Sequence, residues 1–251
     1  MELGLKGKGV IITGASKGIG RSIALEFGQE GANIAICARG EEELAKTAAE
    51  ISGLGVKVHA QRCDVSDEAE LATFLDSSYE ALGAVTVLVN NASGFGVTDD
   101  EPGWASGWSL DMMAAVRATW KVVPWFEEAG GGSITHISST SGLEAGSPPA
   151  YAAVKAALIS YSKTTAAELA PKGIRVNCVA PGSIEFPGGL WQTIKKVNTP
   201  MYDEIQDSIP FGRLGTPKEV AAAVVFLASE RASWISGVTL SVDGVQHKGN
   251  L

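Results

Sequence analysis

Short, almost wholly apolar runs alternate along this chain with longer segments whose apolar residues recur every three or four positions. The apolar runs fall at residues 9–13, 33–38, 85–89, 133–137 and 174–180, as expected of strands buried on both faces. Residues 56–60 and 238–242 complete the set. The periodic segments predict helices over 21–30, 41–52, 104–128, 151–170 and 218–228, and another starting at Ser66 as N-cap with acids in its first turn. Strand follows helix throughout, with no repeat and no linker. This pattern predicts an α/β fold, a single-domain Rossmann-type doubly wound parallel sheet over residues 1–251 with helices on both faces.

Residues 182–214 break the alternation. They are rich in Gly, Pro and aromatics and long enough for a substrate-loop insertion. Phe186, Leu190, Trp191, Met201, Tyr202, Ile205 and Phe211 form either an apolar substrate wall, together with Trp104 or Trp108, or a cover for the core. Lys195 and Lys196 read as a solvated face.

Composition narrows the function. A chain of 251 residues that is 45% hydrophobic and 19% charged has the material for one large core. A net charge of −8 and a pI near 5.0 argue against nucleic acid or an anionic membrane as partner. Cys37, Cys63 and Cys178 lie in apolar runs without a CxxC pair and read as buried thiols of a reducing cytoplasm. His59, His136 and His247 are too scattered for a zinc site, so no metal is expected. Neither a signal peptide nor an apolar stretch of membrane-spanning length is visible, and the expected location is cytoplasmic.

Candidate chemistry collects at the carboxyl ends of the predicted strands, where doubly wound sheets bind ligands. Gly14-x-x-x-Gly18-x-Gly20 joins the first strand to a helix. Glycines there let the backbone approach a pyrophosphate, which the helix N-terminus attracts. The second strand ends in Ala38-Arg39 where an acid would take a ribose hydroxyl, and Lys17 lies in the glycine loop. Two cations without an acid suit a 2′-phosphate, hence NADP(H) over NAD(H). Asp64-Val65 suits an adenine, the carboxylate accepting from its amino group; Asn90-Asn91-Ala92 follows the fourth strand. Two serines, Ser138 and Ser139, end the fifth strand. Tyr151 and Lys155 then share one helix face. A phenol is a poor acid, with a reference pKa near ~10, and an adjacent ammonium stabilises its phenolate.

Taken together, the Thr13–Gly20 stretch, Asp64-Val65, Asn90-Asn91-Ala92, the serine strand, Tyr151-x-x-x-Lys155, Val176-Asn177, Pro181-Gly182 and Leu240-Ser-Val-Asp-Gly244 resemble the one-domain short-chain dehydrogenases/reductases, 3-oxoacyl-type ketoreductases among them. The resemblance covers essentially the whole chain. It implies Tyr151 as general acid/base, Lys155 as its activator and ribose ligand, and a serine orienting the substrate oxygen. The second serine of the pair, Ser139, is assigned that role, although the usual spacing to the tyrosine points to Ser138. The resemblance also implies a cofactor site built from Gly14, Ser16, Lys17, Gly18, Ile19, Gly20, Arg39, Asp64, Val65, Asn91, Ala92, Tyr151, Lys155, Pro181, Gly182 and Ile184.

Two positions depart from the family pattern. Ser93 replaces a glycine and is expected to face the substrate. Counting from Trp104 and back from Pro124, Asp111 replaces the asparagine whose main-chain carbonyl holds a water linking the lysine to solvent. The expected function is an NADP(H)-dependent oxidoreductase interconverting a ketone and a secondary alcohol, its substrate small and apolar, its assembly a homotetramer. The alternative is a non-catalytic dinucleotide-binding sensor or scaffold, for which Asp111 is the only support.

Overall fold

The computed structural model describes residues 2–250. Seven parallel strands form one sheet in the order β3-β2-β1-β4-β5-β6-β7. They are β1 (Gly9–Thr13), β2 (Asn33–Ala38), β3 (Val58–Arg62), β4 (Val87–Asn90), β5 (Gly132–Ile137), β6 (Ile174–Pro181) and β7 (Thr239–Val242). Successive side chains on a strand face opposite ways, and β1 divides accordingly. Val10 and Ile12 pack with Ile23, Phe27, Val220 and Val224 on one face of the sheet. Ile11 packs with Phe74, Leu88, Val122 and Phe126 on the other. Both faces are covered, which is why the central strands carry no polar alternation. Strand order reverses between β1 and β4, so the carboxyl ends of these two strands open the crevice in which such sheets bind ligands.

The helices follow the sequence pattern with informative exceptions. α1 (Gly18–Gln29) starts inside the glycine motif, ahead of the expected boundary, and α2 (Glu41–Ser52) is as expected. α3 (Glu68–Leu82) is capped by Asp67, whose carboxylate accepts from the N–H groups of Ala69 and Glu70; the expected cap, Ser66, is turned instead toward Asp64. The long helix expected from Trp104 begins earlier, as α4 (Glu101–Ser106), with Asp100 capping and Pro102 in its first turn. It passes without a break through a π-helical segment, Gly107–Met113, into α5 (Ala114–Glu128). Such π segments insert one residue into the turn and gather at functional sites; this one carries Asp111. α6 (Pro149–Leu169) presents Tyr151 and Lys155.

Residues 182–214 are less irregular than expected. They hold α7 (Leu190–Val197) and α8 (Thr199–Ser208), with Tyr202, Ile209 and Leu214 forming a small core of their own. α9 (Pro217–Ala228), begun by a Thr216/Glu219 capping box, packs along α1. No helix among the described residues is long and apolar enough to cross a membrane.

Candidate active site

The glycine loop is shaped by close approach. Gly14 and Gly18 have φ of +67° and +57°, which a side chain disfavours. A Cβ on Gly14 would lie 2.7 Å from the Ala92 Cα, and one on Gly20 2.4 Å from the Gly14 carbonyl. Asn91 does not point outward. Its Nδ2 donates to the carbonyls of Thr13 and Gly14 at 3.0 and 2.9 Å. The Thr13 hydroxyl accepts from the N–H groups of Asn91 and Ala92. Ser16 lends its carbonyl to Thr47, and Ile19 packs on the core. At the N-cap, Lys17 provides no side-chain cap, and the first turn of α1 has no acid. Free N–H groups at that turn, beside glycines no Cβ can replace, fit the pyrophosphate of a dinucleotide.

Beyond the loop, Lys17 and Arg39 are exposed, while Arg21 and Arg62 nearby are taken up by Glu50 and Glu70. Ser66 donates to Asp64 through both N–H and O–H, at 3.0 and 2.7 Å; its hydroxyl is the main cause that holds the Asp64 carboxyl below the usual carboxylate range. Val65 is buried with Leu71 in the core.

On the reaction side, β5 delivers the two serines into different surroundings. Ser138 is buried, and its hydroxyl donates to the Lys155 carbonyl at 2.8 Å. Ser139 is partly exposed and caps a short 3-10 turn at Thr140–Gly142, its hydroxyl donating to that of Ser141 at 3.1 Å. Of the two, Ser139 is the more exposed, and its proton, held by the Ser141 hydroxyl, has to turn away from it to reach a ligand. Lys155 lies 5.6 Å from the centre of the Tyr151 ring and is only 2% exposed. Its ammonium donates to the Ile137 carbonyl at 2.9 Å and meets Asp111 Oδ1 at 2.8 Å as an ion pair. Burial pulls the lysine down, but Asp111, aided by Tyr151, pushes it back to a net position above the ordinary lysine range. The other groups facing it carry no charge near neutrality: burial, with Lys155, drops His136 to about 3, and burial raises the Cys178 thiol to about 12.

Asp111 therefore meets Lys155 through its side chain. Its second oxygen, Oδ2, accepts from the Gly94 N–H at 2.8 Å. Ser93, expected to face the substrate, turns back instead and accepts from the Phe95 N–H at 3.3 Å. Phe95 itself is stacked parallel to Tyr151, with ring centres 5.8 Å apart and 7° between planes. Nothing in the sequence marked Phe95, apart from an aromatic set between two glycines.

The residues proposed for an apolar wall divide. Tyr202 is buried and bonds Glu185 at 2.8 Å, which makes it core of the 182–214 segment. Phe186 lies against Gly18 and Gly189, so it flanks the glycine loop. Leu190, Met201 and Phe211, with Trp104 and Trp108, are exposed. Pro181 ends β6, and the chain that follows is clamped by the C-terminal tail. Gln246 accepts from the Ser183 N–H and donates to its hydroxyl, while the Gly182 N–H bonds the Val242 carbonyl. Ile184 pairs with Gly215 in an isolated bridge.

The chain is similar to known proteins over nearly its whole length. A family model described as enoyl-(acyl carrier protein) reductase matches residues 14–245. The isoepoxydon dehydrogenase of Penicillium expansum is 36% identical over 99% of this chain and 98% of its own length. The chain belongs to the short-chain dehydrogenase/reductase family. The 3-oxoacyl-[acyl-carrier-protein] reductase of Thermotoga maritima is also 36% identical, over 96% of this chain and 98% of its own. Among solved structures, L-sorbose reductase from Gluconobacter frateurii, complexed with NADPH and L-sorbose, superposes with a TM-score of 0.91 at 35% identity, covering 99% of this chain and all of its own. A 7α-hydroxysteroid dehydrogenase complexed with NADH and 7-oxo glycochenodeoxycholic acid gives 0.89 at 35%, over 97% and 96% of the two chains. This chain is thus an oxidoreductase, and the sensor or scaffold alternative finds no support among these relatives.

Proposed function

We propose that the enzyme interconverts a ketone and a secondary alcohol with NADP(H), Tyr151 serving as general acid and base. The observation that carries this reading is the buried Lys155 ammonium under the Tyr151 ring, kept charged by Asp111. In reduction the Tyr151 hydroxyl gives its proton to the carbonyl oxygen, and the neighbouring ammonium stabilises the phenolate left behind. Ser139 donates a hydrogen bond to the same oxygen and orients it. In oxidation the phenolate takes the alcohol proton back. A bound nicotinamide supplies or accepts the hydride.

Gly14, Ser16, Lys17, Gly18, Ile19 and Gly20 would cradle the pyrophosphate at the start of α1, with Asn91 and Ala92 holding that loop in shape. Lys17 and Arg39 would take the 2′-phosphate, Asp64 the adenine amino group with Val65 behind it, and Pro181, Gly182 and Ile184 the border of the nicotinamide. Lys155 and Tyr151 would meet its ribose. That relatives have been seen with both NADPH and NADH leaves the choice to these local charges. The residues around 182–214 supply the mouth of the substrate pocket.

The test is consumption of NADPH and of NADH against a panel of linear, cyclic and steroidal ketones. At least tenfold preference for NADPH with turnover of some ketone is expected; equal use of NADH refutes the cofactor assignment. We place the enzyme in the cytoplasm, where its three buried, unpaired thiols persist. We also expect a homotetramer, since Trp120 on α5 is 64% exposed and Trp234, in the turn before β7, 99%. Light scattering that returns the 26.0 kDa of one chain overturns it.

A further inference from the structure

The two departures from the family pattern, Ser93 and Asp111, hold the same turn. Ser93 Oγ receives the Phe95 N–H and Asp111 Oδ2 the Gly94 N–H, so consecutive amides are fixed by the two substituted side chains. A third bond, from the Val97 N–H to the Phe95 carbonyl at 2.7 Å, closes the turn behind them. Phe95 sits there at φ +45°, a backbone conformation that a bulky side chain rarely adopts. Such a conformation persists only where its surroundings over-determine it, and it marks a place where the ring's direction matters. The ring is 54% exposed and runs parallel to Tyr151.

We propose that Asp111 is a two-pronged positioning residue, one carboxylate oxygen on the Lys155 ammonium and the other on the Gly94 N–H, and that the turn it fixes presents Phe95 as an aromatic wall that selects cyclic ketones and alcohols. This rests on the ketone–alcohol reading above and names its substrate class. The geometry explains the selection. A flat wall parallel to the proton donor accepts a ring laid along it with its oxygen at Tyr151, and the contact area of a ring is rigid and costs no chain entropy on binding. A flexible linear ketone gains less from the same surface and must be ordered to use it. Buried at 3% exposure and facing the lysine, the carboxylate couples the two halves of the site: the part that moves the proton and the part that holds the ring.

The test compares the bicyclic ketone decalone with the linear ketone decanone, equal in carbon number. Phe95→Ala should lower kcat/KM for decalone about tenfold, mainly through KM, and change that for decanone less than threefold. Phe95→Tyr, which keeps the wall, should restore the decalone preference. Asp111→Ala frees the turn and should collapse the same preference, in addition to any fall in kcat for both ketones. Equal losses on both ketones in Phe95→Ala, or none, overturn the wall; an unchanged preference in a folded Asp111→Ala overturns the positioning role. Calorimetry decides the wall independently of turnover. Decalol cannot react with NADPH, and it should bind the NADPH complex about tenfold more weakly in Phe95→Ala than in the wild type. Equal binding overturns the wall, whereas failure of the wild type to reduce either ketone with NADPH counts against the reductase reading alone.

Discussion

The glycine loop after β1 and the turn after β4 stand at neighbouring strand ends and are built in opposite ways. The loop at Gly14–Gly20 owes its shape to residues without side chains, two of them at positive φ, and to neutral hydrogen bonds that Asn91 donates to Thr13 and Gly14. The turn at residues 93–97 places a phenylalanine at positive φ and is held by a buried carboxylate from a distant π-helical segment. The proposed cofactor cradle is thus shaped chiefly by backbone, and the proposed substrate wall by a charge brought in by tertiary packing. Damage on the two sides should separate accordingly.

The largest expected effect is on the reaction side. Tyr151→Phe should abolish turnover while NADPH binding, measured by fluorescence titration, stays within a few-fold, because only the proton donor is removed. Loss of NADPH binding as well would mean that the two sides are not separable. Next, Ser139→Ala should lower kcat on the order of 10²-fold, the scale of one positioned hydrogen bond in a transition state. Ser138 spends its hydroxyl on the Lys155 carbonyl, so Ser138→Ala should act mainly on thermal stability, by about 1 kcal/mol. The reverse pattern would place Ser138 at the substrate.

On the cofactor side, Arg39→Asp should invert the NADPH/NADH ratio of kcat/KM from at least tenfold in favour of NADPH. This follows from the loss of a charge-assisted contact of about 1.5–3 kcal/mol and the gain of a ribose acceptor. An unaltered ratio would assign the 2′-phosphate elsewhere.

The smallest effect bears on the link between the sides. Because Lys155 is held above the ordinary lysine range, its side of the ion pair with Asp111 stays charged up to about 10.4 and is lost only as pH rises through that raised value. The ammonium is therefore present throughout the working range, with the Asp111 carboxylate against it. Alcohol oxidation needs the phenolate, so its rate rises with pH. Asp111→Asn also removes the charge that supports the buried ammonium; as long as Lys155 stays protonated, more of its field falls on Tyr151, and the rising limb should move to lower pH by about half to one unit, with the plateau within about tenfold. A limb that stays in place would show that Asp111 does not act on the proton relay.

Local chemistry made most of this molecule legible in one dimension. Continuous apolar runs such as Val10–Ile12 mark strands buried on both faces, and glycines beside them mark close backbone approach. The i,i+4 spacing of Tyr151 and Lys155 forces them onto one helix face wherever that helix packs. Boundaries and caps were less legible. Ser66 and Asp67 are both good caps, and only the demand of Asp64 for the serine hydroxyl decides between them. In the 182–214 segment Gly and Pro hide two short helices, whose stability comes from the Tyr202–Ile209–Leu214 cluster.

What the sequence could not contain was the direction of side chains brought together from separate elements. Asp111 and Ser93 were visible as departures. That they converge on one turn, and that Asp111 reaches Lys155 as well, depends on a π-helical segment that rotates a helix face by a fraction of a turn. A buried charge finds its partners in three dimensions, because desolvation makes it intolerable without them. Which partners are within reach is settled only when β4, β5, α6 and the π segment pack around the same point.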